Sequence, residues 1–180
     1  KAQAAPMRIF HIHSSGVQEL TALPAQMPAQ GFLWIACARP AFQARLAEIQ
    51  GGLQALIGLQ LVDLHVSDLL NAQLPSHYDY TTQYDLLVVR RLAQAQTAAA
   101  APLRAVARGG PPVLRRIDTS PVGFAVFDQV LVTVHPPDCV ARDAYAARLL
   151  EAASASAETR AANVDPRLGG ARLPASPPDL

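Results

Sequence analysis

No run of about 18 consecutive apolar residues occurs in the 180-residue chain, so no segment reads as a helix that crosses a membrane. Charge of one sign is equally scarce: 15 Lys and Arg against 14 Asp and Glu leave a net charge of +1. That balance gives no electrostatic case for nucleic acid or for an anionic membrane surface. The opening Lys1-Ala-Gln-Ala-Ala-Pro6 lacks the apolar core of a signal peptide. Only two cysteines are present, Cys37 and Cys139, far apart in the chain. Cys37 falls in an apolar run, where a free thiol behaves as a small hydrophobe, and both cysteines read as reduced and structural, in keeping with a reducing compartment. The His-Glu-x-x-His, Cys-x-x-Cys and Gly-x-Ser-x-Gly signatures are all missing. Gly51-Gly52 and Gly109-Gly110 lack the spacing and the strand-to-helix context of a phosphate loop. The chain is not expected to be an enzyme.

What is present is an α/β pattern in a length suited to one domain. Met7 to His13 alternates as a first strand, Gly16 turns, and Val17 to Leu20 is a short partner. Gly31-Phe-Leu-Trp-Ile-Ala-Cys37 is the clearest buried strand. Pro40 stands in a helix's first turn, and Phe42, Leu46, Ile49, Leu53, Leu56 and Ile57 follow at helical spacing, with Gly51-Gly52 expected to bend or split the run. Ala93 to Pro112, rich in Ala, Gln, Gly and Pro, reads as a loop between strands. Strands are expected over Val113 to Ile117, Val122 to Phe127 and Val130 to His135, with a tight turn at Asp128-Gln129. From Cys139 to about Ala157 a helix is expected, capped by Asp138, with a stripe of Val140, Ala144, Ala147, Leu149 and Leu150. Glu158 to Asp165 reads as another short helix, and Ser176-Pro-Pro-Asp179 as a cap-like helix opening.

The densest stretch runs from Asp63 to Leu92. It reads as a short acidic helix from His65 to about Asn71 with Asp63 as N-cap, a break at Pro75, and strands over Ser76 to Tyr80 and Tyr84 to Leu92. The order of residue types, His65, Asp68-Leu69-Leu70-Asn71, Pro75, Tyr84-Asp85-Leu86 and Val88-Val89-Arg90, resembles a segment in the cytoplasmic domain of CorA-type divalent-cation channels. Leu131-Val132-Thr133-Val134-His135 resembles the strand that precedes that family's long helices. Two positions depart from its pattern: Ala36 stands where an acid follows the strand's Trp, and Ser67 where an acid precedes Asp68.

The resemblance implies a fold and a role. The expected fold is a mixed sheet of six or seven strands with helices on both faces, comprising an α/β core over 7–137 and a helical arm over 138–180. The closing Pro-Asp-Leu phrase is similar to the start of the family's long helix, so the chain is expected to be the soluble N-terminal domain of a longer membrane protein. Its role would be to sense a cation, with a pentameric pore elsewhere in that protein and the domain on the cytoplasmic face of the inner membrane. By resemblance Asp68 is the candidate ligand of a regulatory divalent ion at a subunit interface, with Asp63 behind it. Magnesium is the implied ion, zinc or cobalt the alternatives, since carboxylates suit hard cations and clustered like charges repel until an ion neutralises them. The bare-residue reading of Asp68 is a solvated or helix-capping acid. A ZntB-like zinc transporter shares the domain, and a stand-alone binding or scaffold domain is the alternative from another class. The partner is the chain itself, monomeric or weakly associated without the long helices.

Other clusters read blandly. His11 and His13 share a strand face with no third ligand in view. Tyr78, Asp79, Tyr80, Tyr84 and Asp85 read as cross-strand packing with exposed acids. Arg90-Arg91 and Arg115-Arg116 read as solvated or paired surface charges.

Overall fold

The computed structural model describes residues 7–92, 119–137, 139–161 and 173–180. The expected strand at 113–117, the 93–112 loop and the Asp138 cap lie outside them. Seven strands form one mixed sheet: β1 (Arg8–His13), β2 (Gly16–Leu20), β3 (Phe32–Ala38), β4 (His77–Tyr80), β5 (Asp85–Leu92), β6 (Thr119–Val126) and β7 (Val130–His135). Their spatial order is β2-β1-β3-β7-β6-β5-β4. All neighbours are antiparallel except the central pair β3 and β7, which run parallel with Leu33 opposite Val130 and Ala38 opposite His135. A parallel pair needs a long crossover, and everything from α1 to β6 supplies it. Both central strands are buried along their whole length, as continuous apolar runs such as Phe32-Leu-Trp-Ile-Ala-Cys37 dictate.

Alternation along the strands divides the core into two layers. Ile9, Leu33, Ile35, Leu86, Ala125, Val132 and Val134 face three helices: α1 (Arg39–Ala44), α2 (Leu46–Ile57) and α3 (Asp63–Leu70). They meet Phe42, Ile49, Leu53, Val66 and Leu69 there. Cys37 lies in the same layer, where burial pushes its thiol up to about 12 and leaves it unreactive. On the other face Phe10, Ile12, Phe32, Trp34 and Leu131 meet Ala146 and Leu149 of α4 (Val140–Ala161). Trp34 stacks on Phe10 at 5.0 Å between centroids, takes Tyr145 edge-on at 6.0 Å, and donates its indole N–H to Thr133 Oγ1 at 3.0 Å. Helices therefore cover both faces, as the resemblance implied.

Four local expectations are corrected. The α1–α2 run breaks at Arg45 and not at the glycines; Arg45 leaves the helical region and its guanidinium turns to Glu48 at 2.6–2.8 Å, while Gly51 and Gly52 continue α2. Helix α3 starts at Asp63 with Val62 as N-cap, so Asp63 is the first helical residue and caps nothing. The buried stripe of α4 is Ala146, Leu149 and Ala153; Val140, Ala144 and Ala147 face out, because Tyr145 against Trp34 sets the roll of the helix. No second helix starts at Glu158, since α4 runs through to Ala161. The closing Ser176-Pro-Pro-Asp179 does form a short 3-10 turn with a reciprocal capping box: Ser176 and Asp179 bond each other's ends.

Two glycines matter for geometry. Gly31 enters β3 at φ +79°, where a Cβ would collide with the Ile12 carbonyl and with His13. Gly123 of β6 lies under Leu69, whose side chain occupies the place a Cβ would take, and this brings α3 down onto the sheet.

Candidate functional site: the contact of α3 with β4 and β5

Helix α3 presents His65, Val66 and Leu69 to the sheet and leaves Asp63, Leu64 and Ser67 outward, as spacings of three and four residues require. His65 is only 2% exposed, so both its ring nitrogens must find partners inside the protein. Tyr84 hydroxyl donates to Nδ1 at 2.7 Å, and Nε2–H donates to Asp79 at 3.1 Å. This assignment of the ring proton follows from the network: the Tyr84 oxygen already accepts the Val62 N–H at 3.0 Å and has its own proton to give. The ring of Tyr84 meets His65 edge-on and packs on Phe127 at 4.6 Å. Burial raises the Tyr84 pKa, and the bonds from His65 and the Tyr80 N–H lower that of Asp79. The start of α3, the edge strand β4 and the turn that leads into β5 are thus joined by one buried histidine.

A second histidine and carboxylate join the same elements in the opposite sense. Asp68 of α3 faces His77 of β4, with Oδ2 3.5 Å from Nε2. The other nitrogen, Nδ1, is 3.3 Å from the Pro75 carbonyl, which accepts its proton. Helix α3 has already ended at Leu70, before Pro75, whose carbonyl positions His77. The two side chains are 18% and 31% exposed, which keeps the pair reachable from solvent.

Asp63 stands in the first turn of α3, exposed, five residues before Asp68 and therefore about 140° around the helix. The structure does not bring the two acids together within one chain. Asp68 gains a histidine instead. A magnesium ion, commonly held by one or two carboxylates with water filling its remaining positions, fits a half-buried single carboxylate of this kind. Among the described residues no three His, Cys, Asp or Glu side chains gather as a complete metal site, and the His11–His13 pair gains no third ligand. Their rings sit 4.8 Å apart, with His11 Nε2 at the Gln30 carbonyl and His13 Nδ1 at Ser15 Oγ.

The aromatic and acidic hairpin packs as alternation suggests. Tyr78 and Tyr80 stack at 6.0 Å on the outer face of β4, and Tyr78 donates to Asp85 at 2.8 Å. Sequence reasoning missed the inward members: Tyr84 and Asp79 serve His65. The usable signal was His65 itself, which shares a helix face with Leu69 at i+4. Arg90 is also reassigned, from a surface charge to a clamp. Its guanidinium donates to the Leu74 and Thr119 carbonyls and to Thr119 Oγ1 at 2.7–2.9 Å, tying the loop before β4 to the start of β6. Arg115 and Arg116 lie outside the described residues.

The order of the strands, the single parallel pair at the centre, three helices on one face and one on the other invite comparison with solved structures. The full-length CorA magnesium transporter of Methanocaldococcus jannaschii shares this arrangement over 85% of the present chain and 39% of its own, with TM-score 0.54 at 14% identity. The fold is CorA-type. The full-length CmaX protein matches it over 84% of this chain and 41% of its own, with TM-score 0.51 at 12% identity. The ZntB cytoplasmic domain of Vibrio parahaemolyticus is also similar, over 84% of this chain and 50% of its own, with TM-score 0.48 at 15% identity. The chain thus spans about two fifths of the length of the CorA and CmaX proteins. No family model matches the sequence. No curated protein matches it either. At these identities the comparisons concern the CorA-type fold, and the chemistry must come from the residues. No helix among the described residues is long and apolar enough to cross a membrane.

Proposed function

We propose that the chain is the regulatory domain of a CorA-like divalent-cation transport protein, placed on the cytoplasmic side of the inner membrane, with Asp68 contributing to an ion site between copies. The observation that carries this reading is the position of Asp68. It is half-buried on a helix that the His65 network and Leu69 hold rigidly against a CorA-type sheet. A carboxylate on a rigid element is pre-organised for an ion shared with a neighbour, and losing that ion would leave acids facing one another and loosen the assembly. The ion's differential affinity for the packed state would then bias the gate. The resemblance offers magnesium, zinc or cobalt as the ion, with a pentamer as the assembly in the full-length protein. Ser67, standing where the family's pattern has a second acid, favours a zinc-type variant as the second reading.

Isothermal titration with magnesium, zinc and cobalt, with light scattering in parallel, tests the proposal. Wild-type protein should bind an ion and gain mass, and Asp68→Ala should lose both. Binding and mass unaltered by Asp68→Ala would overturn the role of this residue.

A further inference from the structure

We infer that His77 joins Asp68 as a second protein ligand, making a mixed nitrogen and oxygen half-site that selects a borderline divalent ion of the zinc and cobalt class over magnesium. The inference builds on the reading that Asp68 holds a divalent ion and names which class.

Three features of the pair carry it. The first is the direction of the imidazole. Nδ1–H is given to the Pro75 carbonyl at 3.3 Å, which leaves Nε2, 3.5 Å from Asp68 Oδ2, as the nitrogen available to a metal. Histidines that ligate metals characteristically give their other N–H to a backbone carbonyl or carboxylate, which fixes the ring and raises its basicity. A lone pair and a carboxylate facing each other repel unless a proton or a metal ion lies between them.

The second feature is distance. At 3.5 Å the Nε2 and Oδ2 atoms are too far apart for a strong charged hydrogen bond, which closes to about 2.7–2.9 Å. Bonds of about 2.0–2.2 Å to zinc at a tetrahedral angle place two donors about 3.3–3.6 Å apart, so the pair already has the bite of a chelate.

The third feature is contrast with the neighbouring histidine. His65 Nδ1 and Nε2 are both engaged, by Tyr84 and Asp79, and the ring is buried. His77 keeps one nitrogen for a ligand and remains reachable from solvent. Helix α3 and strand β4, held together by the first histidine, thus present the second one and its carboxylate at a fixed separation. Imidazole suits zinc, cobalt and nickel, whereas magnesium prefers oxygen donors alone. Water or a second copy of the chain completes the coordination.

The test compares wild type, His77→Ala, His77→Gln and Asp68→Asn, each checked for native circular dichroism, in separate titrations with zinc, cobalt and magnesium salts. Wild type should bind zinc and cobalt more tightly than magnesium. Both His77 variants should lose at least about tenfold in zinc affinity and keep their magnesium affinity, whereas Asp68→Asn should weaken all three. Cobalt bound to wild type should show a visible d–d band that His77→Ala shifts or abolishes. Zinc affinity and cobalt spectrum unchanged in both His77 variants would overturn the inference. The two readings fail separately. Magnesium-linked assembly that needs Asp68 but ignores His77, with no preference for zinc, keeps the regulatory proposal and removes this one. Zinc binding that needs both residues without any change in mass does the reverse.

Discussion

His135 should make this fold sensitive to mild acid. It ends β7 at 1% exposure, with Nδ1 3.2 Å from the Pro136 carbonyl and an Arg142 guanidinium nitrogen 3.3 Å from Nδ1 and 3.4 Å from Nε2. Nδ1–H donates to the Pro136 carbonyl, and the guanidinium nitrogen stands about equally close to both ring nitrogens. A proton on Nε2 would set a second positive charge against the guanidinium. Burial above all, with Arg142 and Arg39 adding repulsion, pushes the His135 pKa down to about 4. The Pro136 bond and Asp143 act in the opposite direction without prevailing. The unfolded chain takes up this proton near pH 6.5, so between 6.5 and 4 the unfolded state holds one proton more than the folded state. Stability then rises with pH and is lost as pH falls through that window. The linkage amounts to about 2 kcal/mol at pH 5 and about 3 kcal/mol at pH 4, out of a typical total of about 5–15 kcal/mol. Urea unfolding from pH 7 to pH 4 should show that loss in wild type. His135→Leu, whatever its stability at pH 7, should show a slope shallower by the same amount. Parallel pH profiles for the two proteins would refute the argument.

Two further perturbations test the packing that holds α3. Tyr84→Phe removes one hydroxyl and strands the buried His65 Nδ1, with partial loss at the Val62 N–H; it should cost about 1–3 kcal/mol in urea unfolding, and a loss near zero would mean that the network is not needed. Gly123→Ala should cost about 1–3 kcal/mol by driving a methyl into Leu69, and Leu69→Ala in the same chain should recover part of that loss in a double-mutant cycle; strict additivity would refute the contact.

How much was legible in the sequence varies with the range of the interaction. Phe32 to Cys37 and Val130 to His135 announce buried strands because continuous apolar runs need cover on both faces. The capping phrase Ser176-Pro-Pro-Asp179 was readable because its bonds close within four residues. The roll of α4 was not, since alanines at Ala144, Ala146 and Ala147 mark no preferred face and a distant Trp34 chooses it. The break at Arg45 was hidden for a similar reason: glycine is the local signal for a bend, yet Gly52 sits tightly against Leu23, and the chain turns earlier. At the candidate site the place of Asp68 on a short helix was legible from the order of its neighbours. His77 was not, because its partner lies nine positions away across a helix end and a strand start, and only the fold places the two together.

The central claim is that α3, through Asp68, responds to a divalent ion. Hydrogen–deuterium exchange without an added ion and with zinc, cobalt or magnesium measures this at the element concerned. Amides of 63–70 and 77–80 should exchange more slowly with the ion in wild type and be indifferent to it in Asp68→Ala. Equal exchange in wild type with and without the ion, or the same protection in the variant, would contradict the account.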